Sequence, residues 1–205
     1  MPVINTNLVL GVHLCQSSNC KIITLTETTG AYNVSNNPGG WGAPNPETNS
    51  LDSLQVIITT PANTPYTFTT IAGWPDVTGN VEANFSIGSN GAIQNNPNGT
   101  TAFSDGIYTV QYTVNGTIAP NTYTATTTQQ FLLTCQIRCC IDKMFHLASQ
   151  SDCTDCKNEK LSNALEAEAF LKAAEYAAAC GKIEMAKKHL AKAQWICNTK
   201  NCLNC

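Results

Sequence analysis

The sequence predicts a segregated α+β fold: an N-terminal antiparallel, Ig-like β-sandwich over residues 1–134, then a small Cys-rich α-helical hairpin domain over residues 135–205. Three observations carry this. Nine of the eleven cysteines lie between Cys135 and Cys205. Lys21 is the only Lys or Arg before residue 131, and the other ten of the eleven basic side chains follow it. The apolar period changes near Gln136, from alternation and short β-branched runs to helical spacing. A chain of 205 residues has room for two small domains, and 42% hydrophobic residues suffice for ordinary cores.

Seven strands are expected before residue 134. Leu8–Leu14 and Lys21–Thr26 are β-branched or apolar runs separated by Ser17-Ser18-Asn19. Leu54–Thr60 and Tyr66–Ile71 flank the turn-rich Pro61-Ala62-Asn63-Thr64-Pro65. Val81–Ile87, Ile107–Val114 and Thr122–Leu133 complete the set. In Ile107–Val114 one parity holds Tyr108, Val110, Tyr112 and Val114, opposite mainly Thr and Gln, the pattern of a strand with one buried face. Short strands at this spacing suit a sandwich. Asp105-Gly106 and Asn115-Gly116 are turn dipeptides, because Gly takes positive φ at little steric cost. Asn36–Ser50, with Pro38-Gly39-Gly40-Trp41-Gly42, is too rich in Gly and Pro for a regular element. It reads as a long loop, either tucking Trp41 over the sandwich edge or docking into a neighbouring subunit.

Beyond Gln136, residues 136–148 place Ile137, Ile141, Met144, Phe145 and Ala148 near helical spacing. Ser149–Asp155 is a polar break. Lys157–Cys180 is a long Ala/Leu/Glu-rich helix, with Gly181 where a C-terminal cap belongs. The next helix carries Ile183, Ala186, Leu190, Ala193 and Cys197 on one face. The two helices form an antiparallel hairpin.

That hairpin makes the cysteines informative. The start of its first helix and the end of its second lie at the same end, so Cys153-x2-Cys156 and Cys202-x2-Cys205 converge. Two C-x2-C pairs brought together are how a tetrahedral Zn²⁺ thiolate site is assembled. The expected ligands are Cys153, Cys156, Cys202 and Cys205, with Cys197 as substitute. Four thiolates close the coordination sphere, so such a zinc is structural rather than catalytic. Disulfides across the same hairpin base, or free thiols, fit the same spacing, disulfides especially outside a reducing cytoplasm. Cys135 and Cys139 share a helix face. Cys180, and Cys15 with Cys20, read as plain thiols or, for the last two, one short disulfide loop.

No catalytic constellation is found. A Cys nucleophile needs a neighbouring His or cationic setting, and His13, His146 and His189 are scattered over unlike elements. Phosphate-loop, G-x-S-x-G and H-E-x-x-H motifs are missing from the sequence. Residues 1–130 carry one Lys against six acidic side chains, leaving no basic stripe for nucleic acid. No apolar run approaches the roughly 20 residues of a membrane span, and the start Met1-Pro2-Val3-Ile4-Asn5 lacks a positive signal-peptide region. The expectation is a non-enzymatic protein made in a cytoplasm.

The runs Asp105-Gly106-Ile107-Tyr108-Thr109-Val110-Gln111-Tyr112 and Leu133-Thr134-Cys135-Gln136-Ile137-Arg138-Cys139-Cys140-Ile141-Asp142-Lys143-Met144, the Pro38–Gly42 loop and an Ala-rich hairpin ending in clustered Cys resemble virion structural proteins of tailed bacteriophages. The likeness is to those of crAss-like and related phages of Bacteroidetes, and it extends over nearly the whole chain. It implies a structural role in the particle, at the neck, the tail or the capsid surface, with synthesis in the bacterial host cytoplasm. It carries no residue-level roles. The helical hairpin also resembles a single tetratricopeptide-type unit, without the array that such a groove needs.

The leading functional expectation is therefore a virion protein that forms a ring-like homo-oligomer and docks another virion protein, with Trp41, Trp74 and Trp195 as interface candidates. The alternative is a glycan-binding adhesin or capsid decoration module, in which Trp41 or Trp74-Pro75-Asp76 stacks on a sugar face.

Overall fold

The computed structural model describes residues 10–13, 20–27, 49–69, 82–118 and 121–199 of the chain. Eight strands and three helices lie among them. In order they are β1 (Leu10–His13), β2 (Ile22–Glu27), β3 (Asn49–Thr59), β4 (Pro65–Phe68), β5 (Glu82–Ile87), β6 (Ile93–Gln94), β7 (Gly106–Ile118), β8 (Asn121–Leu133), α1 (Cys135–Ser149), α2 (Thr154–Ala179) and α3 (Ile183–Thr199). The class is α+β, with all three helices in the C-terminal part. Two compact units emerge: Met1–Phe103 with Thr109–Gln129, and Ser104–Tyr108 with Gln130–Cys205.

The strands make two four-stranded sheets, ordered β1-β2-β5-β6 and β4-β3-β7-β8. Pairing is antiparallel from β1 to β2, β2 to β5, β5 to β6, β3 to β4 and β3 to β7. In the first unit alternation sets the buried face. Val56 and Ile58 are fully buried on β3, while Gln55, Ile57 and Thr59, which alternate with them, are half-buried. Ile23, Phe85, Ile93, Phe103 and Val110 complete the apolar core. The Phe68 ring of β4 lies 4.8 Å from that of Phe85 on β5, a contact from one sheet to the other. The expected turn after β3 is present: Thr60 N–H donates to the Thr64 carbonyl at 3.0 Å, and Asn63 takes φ 60, a left-handed conformation that Asn tolerates.

Three details differ from the sequence reading. Asn115-Gly116 is not a turn but lies inside β7, opposite Ser53 and Leu51, where the register shifts. A bulge absorbs the mismatch, so the strand runs on through a turn-like dipeptide. The strand β3 begins at Asn49, inside the segment read as loop. The strand β6 has two residues, too short to carry a period.

In the second unit, α1 starts immediately after β8. Its N-cap Thr134 makes no side-chain cap bond. Asp105 does so instead: one carboxylate oxygen accepts the Gln136 N–H at 3.0 Å and the other the Ile137 N–H at 2.8 Å. A residue 31 positions away thus satisfies two of the orphan donors of the first turn and places a negative charge at the positive end of the helix. Beside it, Tyr108 Oη donates to the Ser104 carbonyl at 3.0 Å and its ring stacks on Phe131 at 5.5 Å.

Ile137, Cys140, Ile141 and Met144 of α1 pack with Ala164, Ala167, Leu171 and Ala174 of α2 and with Leu190, Ala193, Ile196 and Cys197 of α3. Ala186, Leu190, Ala193 and Cys197 are buried as the spacing predicts, and Ile183 is half-buried. The helix α2 ends in a Schellman motif. Lys182 N–H donates to the Ala177 carbonyl at 2.8 Å and Gly181 N–H to the Ala178 carbonyl at 2.9 Å, with Gly181 at φ 69. Its start is three residues earlier than the spacing suggests, because Cys153 acts as N-cap and Thr154-Asp155 form an ordinary polar first turn.

Candidate functional site

The helix start brings two of the four expected metal ligands together. Cys153 caps α2 with φ −83 and ψ 114, and its Sγ accepts the Cys156 N–H at 3.3 Å. The Cys156 thiol donates to the same sulfur, with the two Sγ atoms 2.6 Å apart. Both side chains are exposed free thiols. The thiol bond from Cys156, followed by the Cys156 N–H, holds the Cys153 thiol below its ordinary pKa. The same thiol bond, donated and therefore lost on ionisation, raises Cys156.

A tetrahedral thiolate site with Zn–S near 2.3 Å holds its sulfurs roughly 3.8 Å apart. The pair would open by about 1 Å to share a metal, a movement that χ1 rotation of two exposed side chains supplies. Cys202 and Cys205 lie outside the described residues, as do Trp41, Trp74 and Cys15. Among the described residues no group of three His, Cys, Asp or Glu side chains converges to hold a metal ion.

Cys197, the substitute ligand of the sequence reading, is engaged elsewhere. It forms a disulfide with Cys140, Cα–Cα 6.1 Å, joining α3 to α1 across the buried core. Cys20 and Cys135 are disulfide-bonded as well. Cys139 and Cys180 are exposed free thiols, the latter in the link between α2 and α3. The core register of Cys197 on α3 was legible, but its partner was not, because connectivity is not encoded in spacing.

The three Trp candidates reduce to one in the described residues. Trp195 stands on α3 with 58% of its surface exposed, and Lys192 Nζ lies 6.0 Å from its ring centroid. Further large apolar side chains stand exposed on the same unit: Leu161, Leu165 and Tyr176 on α2, and Met185 on α3. No described helix is long and apolar enough to cross a membrane. Comparison of the chain with protein-family models, curated proteins and solved structures finds no match.

Proposed function

We propose that this chain is a non-enzymatic virion structural protein of a tailed phage, which oligomerises at the neck or tail or on the capsid surface and docks another virion protein. The observation that carries this reading is an inversion of side-chain size on α2. Its buried face consists of Ala164, Ala167, Leu171, Ala174 and Ala177, whereas Leu165 and Tyr176 on its outer face are 52% and 72% exposed. Two large apolar side chains therefore stand on the face of α2 turned away from the unit's core, beside the Lys172–Glu168 ion pair. Bulky apolar and aromatic residues left at the surface are what interfaces use as anchors. Trp195 adds an aromatic anchor on α3.

In this reading the two sheets are the faces of an Ig-like sandwich and the helices are a Cys-rich hairpin adaptor. Zinc held by Cys153, Cys156, Cys202 and Cys205 would fasten the residues that follow α3. The resemblance to phage virion proteins supplies the setting, and the exposed helix face supplies the reason for assembly.

Native mass spectrometry of the whole chain tests the reading. A closed oligomer is expected, and Leu165→Glu with Tyr176→Glu should convert it to monomer while keeping the helical ellipticity, because both side chains are exposed in the isolated chain and hold no core contact. A wild-type chain that stays monomeric at tens of micromolar would sink it. One zinc per chain in the same spectrum supports the metal site.

A further inference from the structure

The outer faces of α2 and α3 share one plan and carry opposite charge. On α2, Leu161, Leu165, Glu168, Lys172 and Tyr176 recur at helical spacing on the face turned away from the core. On α3, Met185, Lys188, Lys192 and Trp195 recur at i, i+3, i+7 and i+10, and all four are exposed. In both, bulky anchors bracket charged residues. Leu165 and Tyr176 stand about 16 Å apart along their helix axis, and Met185 and Trp195 about 15 Å. The sign of the charge differs. The helix α2 holds five acidic side chains against three Lys, a net charge of −2. The helix α3 holds three Lys against Glu184, a net charge of +2 with His189 neutral. Ion pairs within each helix take up Glu168 with Lys172 and Glu184 with Lys187. Exposed Glu166 on α2, and Lys188 and Lys192 on α3, have no ion-pair partner among the described residues.

We propose that the α3 outer face of one copy of this chain seats on the α2 outer face of the next, a head-to-tail contact between unlike surfaces. Charge selects this pairing over the two symmetric ones. Two α2 faces turned on each other would oppose acidic helices, and two α3 faces would set Lys188 and Lys192 against their own copies; like charges in contact cost affinity. With α3 on α2, Lys188 and Lys192 meet Glu166 and Glu168, while Met185 and Trp195 bury against Leu165 and Tyr176. The apolar anchors then form the dry centre and the charges its rim. Both helices turn their inner faces into one core, so their outer faces look in different directions and stay available together. A copy engaged through one face still offers the other, and the contact repeats until a ring closes.

This inference rests on the assembly reading and names the surfaces behind it. The test is complementation between two variants of the full chain, followed by native mass spectrometry and sedimentation. Leu165→Glu with Tyr176→Glu disables the α2 face and leaves α3 intact; Met185→Glu with Trp195→Glu does the reverse. Each variant alone should be a monomer. Mixed, they should form a 1:1 complex of twice the 22.0 kDa chain mass and stop there, because only one intact face of each remains. Formation of that complex also shows that both variants are folded; if either loses helical ellipticity, the corresponding Ala pairs take their place. Adding Lys188→Glu and Lys192→Glu to the chain with the intact α3 face should weaken the complex at least about tenfold. Unchanged affinity, or monomers that ignore each other on mixing, would overturn the α3-on-α2 contact. So would a Met185/Trp195 variant that assembles like the wild type, since α2 would then pair with its own copy. Those results leave the assembly reading standing if the wild type is oligomeric, whereas a monomeric wild type overturns both.

Discussion

Breaking the Cys140–Cys197 bond should unfold the helical unit at far lower temperature. The bond closes a loop with a sequence separation of 57. Loop-closure entropy of about 14 cal/mol/K for that length corresponds to about 4 kcal/mol at 25 °C, an upper figure if the unfolded chain keeps structure. For a domain of roughly 80 residues each kcal/mol moves Tm by about 4–8 °C, so a fall of roughly 15–30 °C is expected. The assay is thermal unfolding followed by helix ellipticity for Cys140→Ala, Cys197→Ala and the double variant, in the absence of reductant so that the other disulfides stay intact. A single substitution already removes the bond, so the double variant should lose little more than either single one. That strong non-additivity separates the cross-link from packing. Small losses of about 1 kcal/mol each that simply add would refute the loop-closure reasoning and reduce both sulfurs to ordinary core filler.

Asp105→Ala removes both acceptors for the α1 amides and should destabilise the second unit by about 2–3 kcal/mol in urea unfolding. Burial raises the Asp105 pKa, against the opposing pull of the Gln136, Ile137 and Cys135 amides. A carboxyl raised on folding contributes most stability below its unfolded pKa and loses it as pH rises through the folded one. Wild-type stability relative to Asp105→Asn should therefore fall as pH rises from about 4, and a difference that grows instead would contradict the burial argument. Gly181→Ala meets no atom within 4 Å, so only its φ of 69 opposes a side chain. A loss of about 1 kcal/mol is expected by chemical denaturation, with the fold unchanged. Gly99→Ala would place Cβ 2.5 Å from Ser86 Cβ and 3.0 Å from the Ile87 nitrogen, beside a fully buried strand residue. Here about 1–3 kcal/mol should be lost, read from near-UV ellipticity on unfolding.

The parts of the fold legible in sequence are those in which local chemistry and tertiary demand agree. Ala186, Leu190, Ala193 and Cys197 repeat at helical spacing because one face of α3 is buried, and Gly181 ends α2 because the Schellman motif needs a left-handed residue there. Val56 and Ile58 share a parity because β3 buries one face. What sequence reading missed depends on partners distant along the chain. Asn115-Gly116 runs on as strand because β3 pairs across it with a register shift. Asp105 looks like a turn residue and is in fact the cap of a helix that starts thirty residues later. At the candidate site the Cys153–Cys156 proximity follows from their spacing, but the early start of α2 decides the chemistry, by making one sulfur a helix cap and the other its donor.

The helical unit joins a thin core to a rich surface, and these two features explain each other. Ala164, Ala167, Ala174, Ala177, Ala186 and Ala193 let helix backbones approach closely, but each removes little apolar area from water. At about 25 cal/mol per Å² a buried Ala contributes a fraction of what Leu, Tyr or Trp would, and small units with modest cores need a staple. The Cys140–Cys197 bond is that staple. With stability supplied by a cross-link rather than by bulk, Leu161, Leu165, Tyr176, Met185 and Trp195 are left free of core duty. A chain selected only for its own stability would gain by turning some of that surface inward; holding it outward is expected of a unit whose outer face is buried by a second molecule.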